Sequence, residues 1–138
     1  MNPFTRETIV RFEHCDPAGI MFYPRFFALV NEAVEDWFAS LGHSFKTLHV
    51  EQHKGLPTVR FESEFVAPVR MGDGLRQSLG VDALGRSSLA LKHLAAVDGR
   101  AVARFDQTLV FTDLASMKAE PWPVDLRAAI ARFAGLPQ

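Results

Sequence analysis

One cysteine, Cys15, in 138 residues rules out an internal disulfide framework. The five histidines and that cysteine show no zinc-ligand spacing, no cysteine and histidine arrangement for nucleophilic catalysis stands out, and there is no serine elbow. An excess of charge of one sign is also lacking. Fifteen Lys and Arg face sixteen Asp and Glu, a formal net charge of -1, and the basic residues are scattered. That balance removes the electrostatic case for nucleic acid or an anionic membrane as the main partner. No apolar run approaches the roughly 20 residues of a spanning helix, and no repeat or low-complexity tract interrupts the chain. No N-terminal segment joins a charged start to a long apolar run, so the expectation is a cytoplasmic protein without a membrane anchor. What remains is 48% hydrophobic and 22% charged, the balance of one globular domain spanning residues 1–138.

The period of the apolar residues changes along the chain. Residues 6–13 alternate, with Thr8, Val10 and Phe12 on one side, and this predicts a strand. Phe26, Phe27, Val30, Ala33, Val34, Trp37, Phe38 and Leu41 then recur every three to four residues, predicting a helix over 24–41 that stops at Gly42. Such a helix is roughly 27 Å long, enough to cross a small domain. A short irregular helix is expected within 44–53. From Pro57 onward the period becomes two, and four strands joined by turns are expected, the turns falling at Gly72 to Gly74, at Gly85 and Arg86, and at Asp98 and Gly99. Residues 124–133 read as a short C-terminal helix. The order of elements and their short connections favour an antiparallel sheet of five strands curled around the long apolar helix, an α+β domain.

The stretch HCDPAGIMFYPRFF, from His14 to Phe27, joins an acid, a turn and a helix start. Pro17 fixes its own φ and pushes Asp16 out of the helical region, and Gly19 supplies a permissive backbone. Pro24 suits the first position of a helix, where the amide it lacks had no partner. The amides of Tyr23, Arg25 and Phe26 are then expected to lie free at the positive end of the helix, facing the Asp16 carboxylate.

Asp16-Pro-Ala-Gly-Ile-x-Phe-Tyr-Pro-x-Phe26, placed between a strand and a long helix, resembles the hot dog fold thioesterases of the 4-hydroxybenzoyl-CoA type. The likeness extends over the strands and turns as far as about Thr112. It implies a hot dog fold, with a five-stranded antiparallel sheet wrapped around one central helix and a short C-terminal helix. It also implies an acyl-CoA thioester hydrolase acting on an aromatic, 4-hydroxybenzoyl-like acyl group. In that reading Asp16 is the catalytic carboxylate, as nucleophile or as general base, and the backbone amide of Tyr23 polarises the thioester carbonyl. A related subfamily carries a histidine where this chain has Pro24, and its absence favours the 4-hydroxybenzoyl-CoA type.

The resemblance further places Arg86, Ser87 and Ser88 at a hairpin that binds the pantetheine arm and phosphates of coenzyme A, although an ordinary solvated turn explains the same residues. Asn31 takes the position facing the distal end of the acyl group, where an acidic residue is expected in that type. No metal and no cofactor are expected beyond the coenzyme A of the substrate. A homodimer or homotetramer with its site at a subunit interface is the expected assembly. The alternative is an acyl-CoA or acyl-carrier binding protein that does not hydrolyse; a hot dog dehydratase would rely on a histidine and acid pair in a different context.

Overall fold

The computed structural model describes residues 2–137. Its main sheet is built from β1 (Phe4–Ile9), β3 (Thr58–Phe65), β4 (Gly74–Leu84), β5 (Ser88–Val97) and β6 (Arg100–Val110), in the order β1-β4-β5-β6-β3, with every neighbouring pair antiparallel. Helix α1 (Pro24–Ser40) lies across one face of that sheet, and α2 (Val124–Ala134) closes one end. A second sheet joins β2 (Lys54–Gly55), β7 (Thr112–Asp113) and β8 (Lys118–Ala119). A single wide turn of π-helix at Lys46–Glu51 fills the expected irregular helix.

Helix α1 buries Phe26, Leu29, Val30, Ala33, Val34, Trp37 and Phe38, the stripe that its period of three to four demands. Its end follows the expected rule: Leu41 caps it, and Gly42 takes a φ of 87°. On the sheet, Leu75, Gln77 and Leu79 of β4, Leu89, Leu91, His93, Ala95 and Val97 of β5, and Phe105, Gln107 and Leu109 of β6 face the helix. The intervening residues form a charged outer face, where Arg60 pairs with Glu62, Lys92 with Asp106 and Arg104 with Glu64. The Asp98-Gly99 hairpin adopts φ values of 50° and 77°, as a tight two-residue turn requires.

Three features depart from the expected arrangement. The first strand ends at Ile9, and Phe12–His14 forms a 3-10 turn in place of a continued strand. Val10 exchanges the last backbone bonds with the Gly72-Asp73 turn, after which no strand remains to pair with; Val10 is buried at 1% exposure while Phe12 stands 82% exposed. The link from β3 to β4 is not a hairpin either. β3 pairs with β6 at the far edge of the sheet, and the chain crosses the sheet through residues 66–73, anchored where Val66 N and Ala67 N both donate to Val102 O. The small sheet has no period to announce it. It is held by Lys54, whose ammonium reaches Asp113 at 3.1 Å and Glu120 at 2.9 Å.

The core divides in two along α1. Around its first half lie Val10, Met21, Phe26, Leu29, Val30, Leu75 and Phe105; around its second half lie Trp37, Phe38, Leu79, Leu91, Phe111, Trp122 and Ile130. Between them runs a buried polar row. Gln77 Nε2 donates to Leu29 O at 2.9 Å, His93 Nε2 meets Gln107 Oε1 at 2.9 Å, and Gln107 Nε2 donates to Thr58 Oγ1 at 3.0 Å. Burial holds the His93 imidazole below its ordinary pKa, which keeps the ring neutral in this row.

Candidate active site

Asp16 opens a β-turn. Gly19 N donates to Asp16 O at 3.0 Å, and Ala18 N donates to the Asp16 carboxylate Oδ1 at 2.8 Å. Proline in the second position and a glycine at φ 78° in the fourth make this turn inexpensive. The chain then doubles back. Asp16 N donates to Ile20 O at 2.9 Å, Cys15 bridges Met21, and Phe22 N donates to His14 O at 2.9 Å. Met21 N to Val69 O at 2.7 Å, and a bridge between Ile20 and Arg70, fasten this loop to the segment leading into β4. The result is a half-buried carboxylate on a rigid loop, with its second oxygen unpaired among the described residues.

Tyr23 follows the last bond of that short ladder and precedes Pro24, the first residue of α1. Of the three amides expected to be free, two are engaged: Arg25 N donates to Phe22 O at 2.9 Å and Phe26 N to Tyr23 O at 3.1 Å. Pro24 has none. The Tyr23 amide alone donates to nothing among the described residues, at the end of a helix whose dipole favours negative charge. His14 is engaged within the 3-10 turn: its Nδ1 accepts from Arg11 N at 2.9 Å, and its Nε2 lies 3.6 Å from Glu13 Oε1.

Beside Tyr23 lies an open groove of 290 Å³, lined by Ile20, Met21, Tyr23, Phe26, Phe65 and Val66 and continuing over Ala67 and Pro68. Its aromatic rings touch one another: Tyr23 and Phe65 at 6.1 Å between centroids, Phe26 and Phe65 at 5.6 Å. A larger hollow of 520 Å³ lies on the outer face of the sheet, but its charged side chains are already paired. The groove residues of β3 and its exit were not singled out by the sequence. Their one signal is that Val66-Ala67-Pro68 breaks the alternation of the strand before it.

The remaining expected residues lie elsewhere. Arg86, Ser87 and Ser88 form the β4–β5 hairpin, whose backbone is fixed by Trp122 N to Arg86 O at 3.0 Å, Phe111 N to Ser87 O at 2.8 Å and Arg127 to Gly85 O at 2.8 Å. The Asp16 loop sits at the opposite end of β4, beside Gly74. Ten residues of strand at about 3.3 Å each separate the two by roughly 33 Å, so one chain does not bring them together. Asn31 is exposed on α1, eight residues or roughly 12 Å beyond Tyr23, and its Nδ2 donates to Glu35 Oε2 at 2.8 Å. It does not line the groove.

Compared with known proteins, the profile of the Thioesterase-like superfamily matches residues 10–130. A 1,4-dihydroxy-2-naphthoyl-CoA hydrolase from Synechocystis sp. is 31% identical over 81 residues; the match spans 59% of this chain and 59% of that relative, less than two thirds of its length. The crystal structure of a 1,4-dihydroxy-2-naphthoyl-CoA thioesterase from Synechocystis superposes with a TM-score of 0.86 at 25% identity, covering 94% of this chain and 96% of that one. A gentisyl-coenzyme A thioesterase superposes with a TM-score of 0.83 at 26% identity, covering 92% and 99%. The sheet and its long helix thus form the hot dog arrangement.

Proposed function

The chain belongs to the Thioesterase-like superfamily, and from that premise we propose that it hydrolyses an aromatic acyl-CoA to the free acid and coenzyme A. One observation carries the reading: the unpaired amide of Tyr23 and the half-free carboxylate of Asp16 flank the same short backbone ladder. Hydrolysis develops negative charge on the carbonyl oxygen. A fixed amide at a helix start stabilises that charge, and such a donor is worth about 3 kcal/mol in the transition state. The Ala18 amide holds one oxygen of Asp16 and leaves the other to act.

Two routes use these atoms. In the first, Asp16 takes a proton from water as the water oxygen attacks the carbonyl carbon; the carbon–sulfur bond breaks and the thiolate is protonated. In the second, the carboxylate attacks, the thiolate leaves, and water hydrolyses the mixed anhydride. A single turnover in H₂¹⁸O tests the second route: label in Asp16 requires an anhydride opened by water at the aspartyl carbonyl, whereas the first route labels the product acid alone.

The aromatic preference rests on the groove, whose walls at the amide are Tyr23, Phe26 and Phe65, and on the relatives named for naphthoyl-CoA and gentisyl-CoA. Benzoyl, 4-hydroxybenzoyl, gentisyl, 1,4-dihydroxy-2-naphthoyl and aliphatic CoA esters, assayed by thiol release, test it. Faster cleavage of the aromatic esters by the native chain, lost in Asp16→Asn, supports the proposal. A chain that binds these esters and cleaves none of them is the non-hydrolytic binding protein instead. Arg86, Ser87 and Ser88 serve this site only from a second copy, so the proposal includes a homodimer at minimum, measurable by sedimentation.

A further inference from the structure

The polar row beneath α1 has one open end. Gln77 Nε2 is spent on Leu29 O, while Gln77 Oε1 is fully buried and accepts from nothing among the described residues. Turning the amide over would set its oxygen against Leu29 O, two acceptors face to face, so the helix carbonyl fixes its orientation. Gln77 is 6% exposed, and a buried acceptor without a donor is costly. It lines a hollow of about 10 Å³ between the helix and the sheet, with Phe26 and Val30 of α1, His93 and Ala95 of β5 and Phe105 of β6 around it. The pairing of β4 with β5 explains the space. Gln77 stands opposite Ala95, whose side chain is a single methyl, and Leu79 stands opposite His93. Gln77 and His93 are therefore diagonal neighbours, roughly 7 to 8 Å apart on the sheet, and no direct hydrogen bond joins them. His93 spends Nε2 on Gln107 Oε1, and its Nδ1 has no partner among the described residues.

We propose that this hollow is a binding site for a single buried water molecule, which donates one hydrogen to Gln77 Oε1 and the other to Nδ1 of His93. The volume admits one water and nothing larger, and two polar partners are enough to hold it. The donor count agrees. Gln107 Oε1 takes its hydrogen from His93 Nε2, so the neutral ring presents Nδ1 as an acceptor, and Gln77 Oε1 is a second one. Two acceptors between the apolar walls of Phe26, Val30 and Phe105 call for a small neutral molecule with two hydrogens to give. With the water in place the row runs unbroken from Leu29 O through Gln77, His93 and Gln107 to Thr58, and ties the first half of α1 to the edge strand β3. Leu29 lies roughly 9 Å along the helix from Tyr23, so the water braces the element that carries the free amide. The site does not depend on the thioesterase reading.

A crystal structure of the native chain that resolves ordered water, together with water–protein cross-relaxation in its NMR spectra, tests the assignment. The expected results are one peak about 2.8 Å from Gln77 Oε1, and cross-peaks between a long-lived water and the ring protons of Phe26 and Phe105. Two variants remove the site from opposite sides. Gln77→Leu deletes one acceptor and should dry the hollow. Ala95→Ser puts a hydroxyl into the hollow opposite Gln77, and should displace the water while keeping the native circular dichroism. In both variants the cross-peaks should disappear, and in Gln77→Leu the ¹⁵N resonance of His93 Nδ1 should move as that nitrogen loses its donor. A native hollow with neither density nor cross-peaks overturns the proposal, as do cross-peaks that persist in Ala95→Ser. Should Gln77→Leu fail to fold, the native chain and Ala95→Ser decide the matter by themselves.

Discussion

At the C-terminal end of α1, Trp37 and Phe38 are fully buried, with Trp37 against Phe133 at 5.2 Å and Phe38 against Phe45 at 5.8 Å between ring centroids. At its N-terminal end, Phe22, Tyr23 and Phe65 are 46%, 59% and 47% exposed, although they too form a chain of ring contacts. Both ends are rich in aromatic residues. They differ in what covers them: α2, Trp122 and the π-helical turn seal the first, and among the described residues nothing covers the second. The sealed end holds the helix in place through burial. The open end leaves one amide, one carboxylate oxygen and an aromatic groove without partners, which is the condition for binding something else. Burial and the proposed chemistry thus lie at opposite ends of one helix, with the polar row of Gln77, His93 and Gln107 between them.

That division can be broken at either end. Asp16→Asn should lower kcat by roughly a thousandfold, a value typical of losing an acid, base or nucleophile, while urea unfolding stays close to native. Trp37→Ala should do the reverse, costing about 3 to 5 kcal/mol in urea unfolding and leaving kcat per folded molecule within a few-fold. If Trp37→Ala abolished activity in the folded fraction, the two ends would be coupled more tightly than the packing indicates. Phe65→Ser, at the open end, should raise KM for aromatic esters about tenfold and cost about 1 kcal/mol of stability, because the ring is already half exposed.

The smaller effects concern pH and sharpen the border between the halves. His93 is buried and its folded pKa is lowered, chiefly by desolvation, so the unfolded chain binds its proton more readily. Its contribution to stability is therefore complete above the unfolded value near 6.5 and is lost as the pH falls below it. Unfolding midpoints in urea should drop between pH 7 and 5, and His93→Gln should flatten that slope. Asp113 is shifted down to about 2, first by its hydrogen bond from Ser116 and then by that from Lys54. This contribution is present above the unfolded value near 4 and disappears as the pH falls toward 2. The pair is partly exposed to solvent, so Asp113→Asn should change only the shallow acid limb of the stability profile.

Much of this architecture was readable from local pattern. The period of α1, its stop at Gly42, the Asp98-Gly99 hairpin and the Asp16-Pro17 turn each follow from residues within a few positions of one another. The sheet order was not readable. That β3 pairs with β6 at the far edge depends on which exposed backbone is available after β4, β5 and β6 have paired, and no residue of β3 encodes it locally. The small sheet escaped for a similar reason, since strands of two residues carry no period. The early end of β1 was hidden by an alternation that continued after its partner strand had run out.

The candidate site divides the same way. The sequence alone determined that an acid, a turn and a proline-initiated helix stand together, because the φ restriction of proline and the freedom of glycine act within the chain's own backbone. The family motif added roles for Asp16 and Tyr23. Tertiary structure alone decided which amide stays free, since Arg25 and Phe26 spend theirs on the turn into α1. It also separated Arg86 from Asp16 by the length of a strand and set Phe65 of β3 against Tyr23 in the aromatic groove. Hydrogen-bond partners and distances across a sheet are properties of pairing between remote segments, and a linear pattern does not contain them.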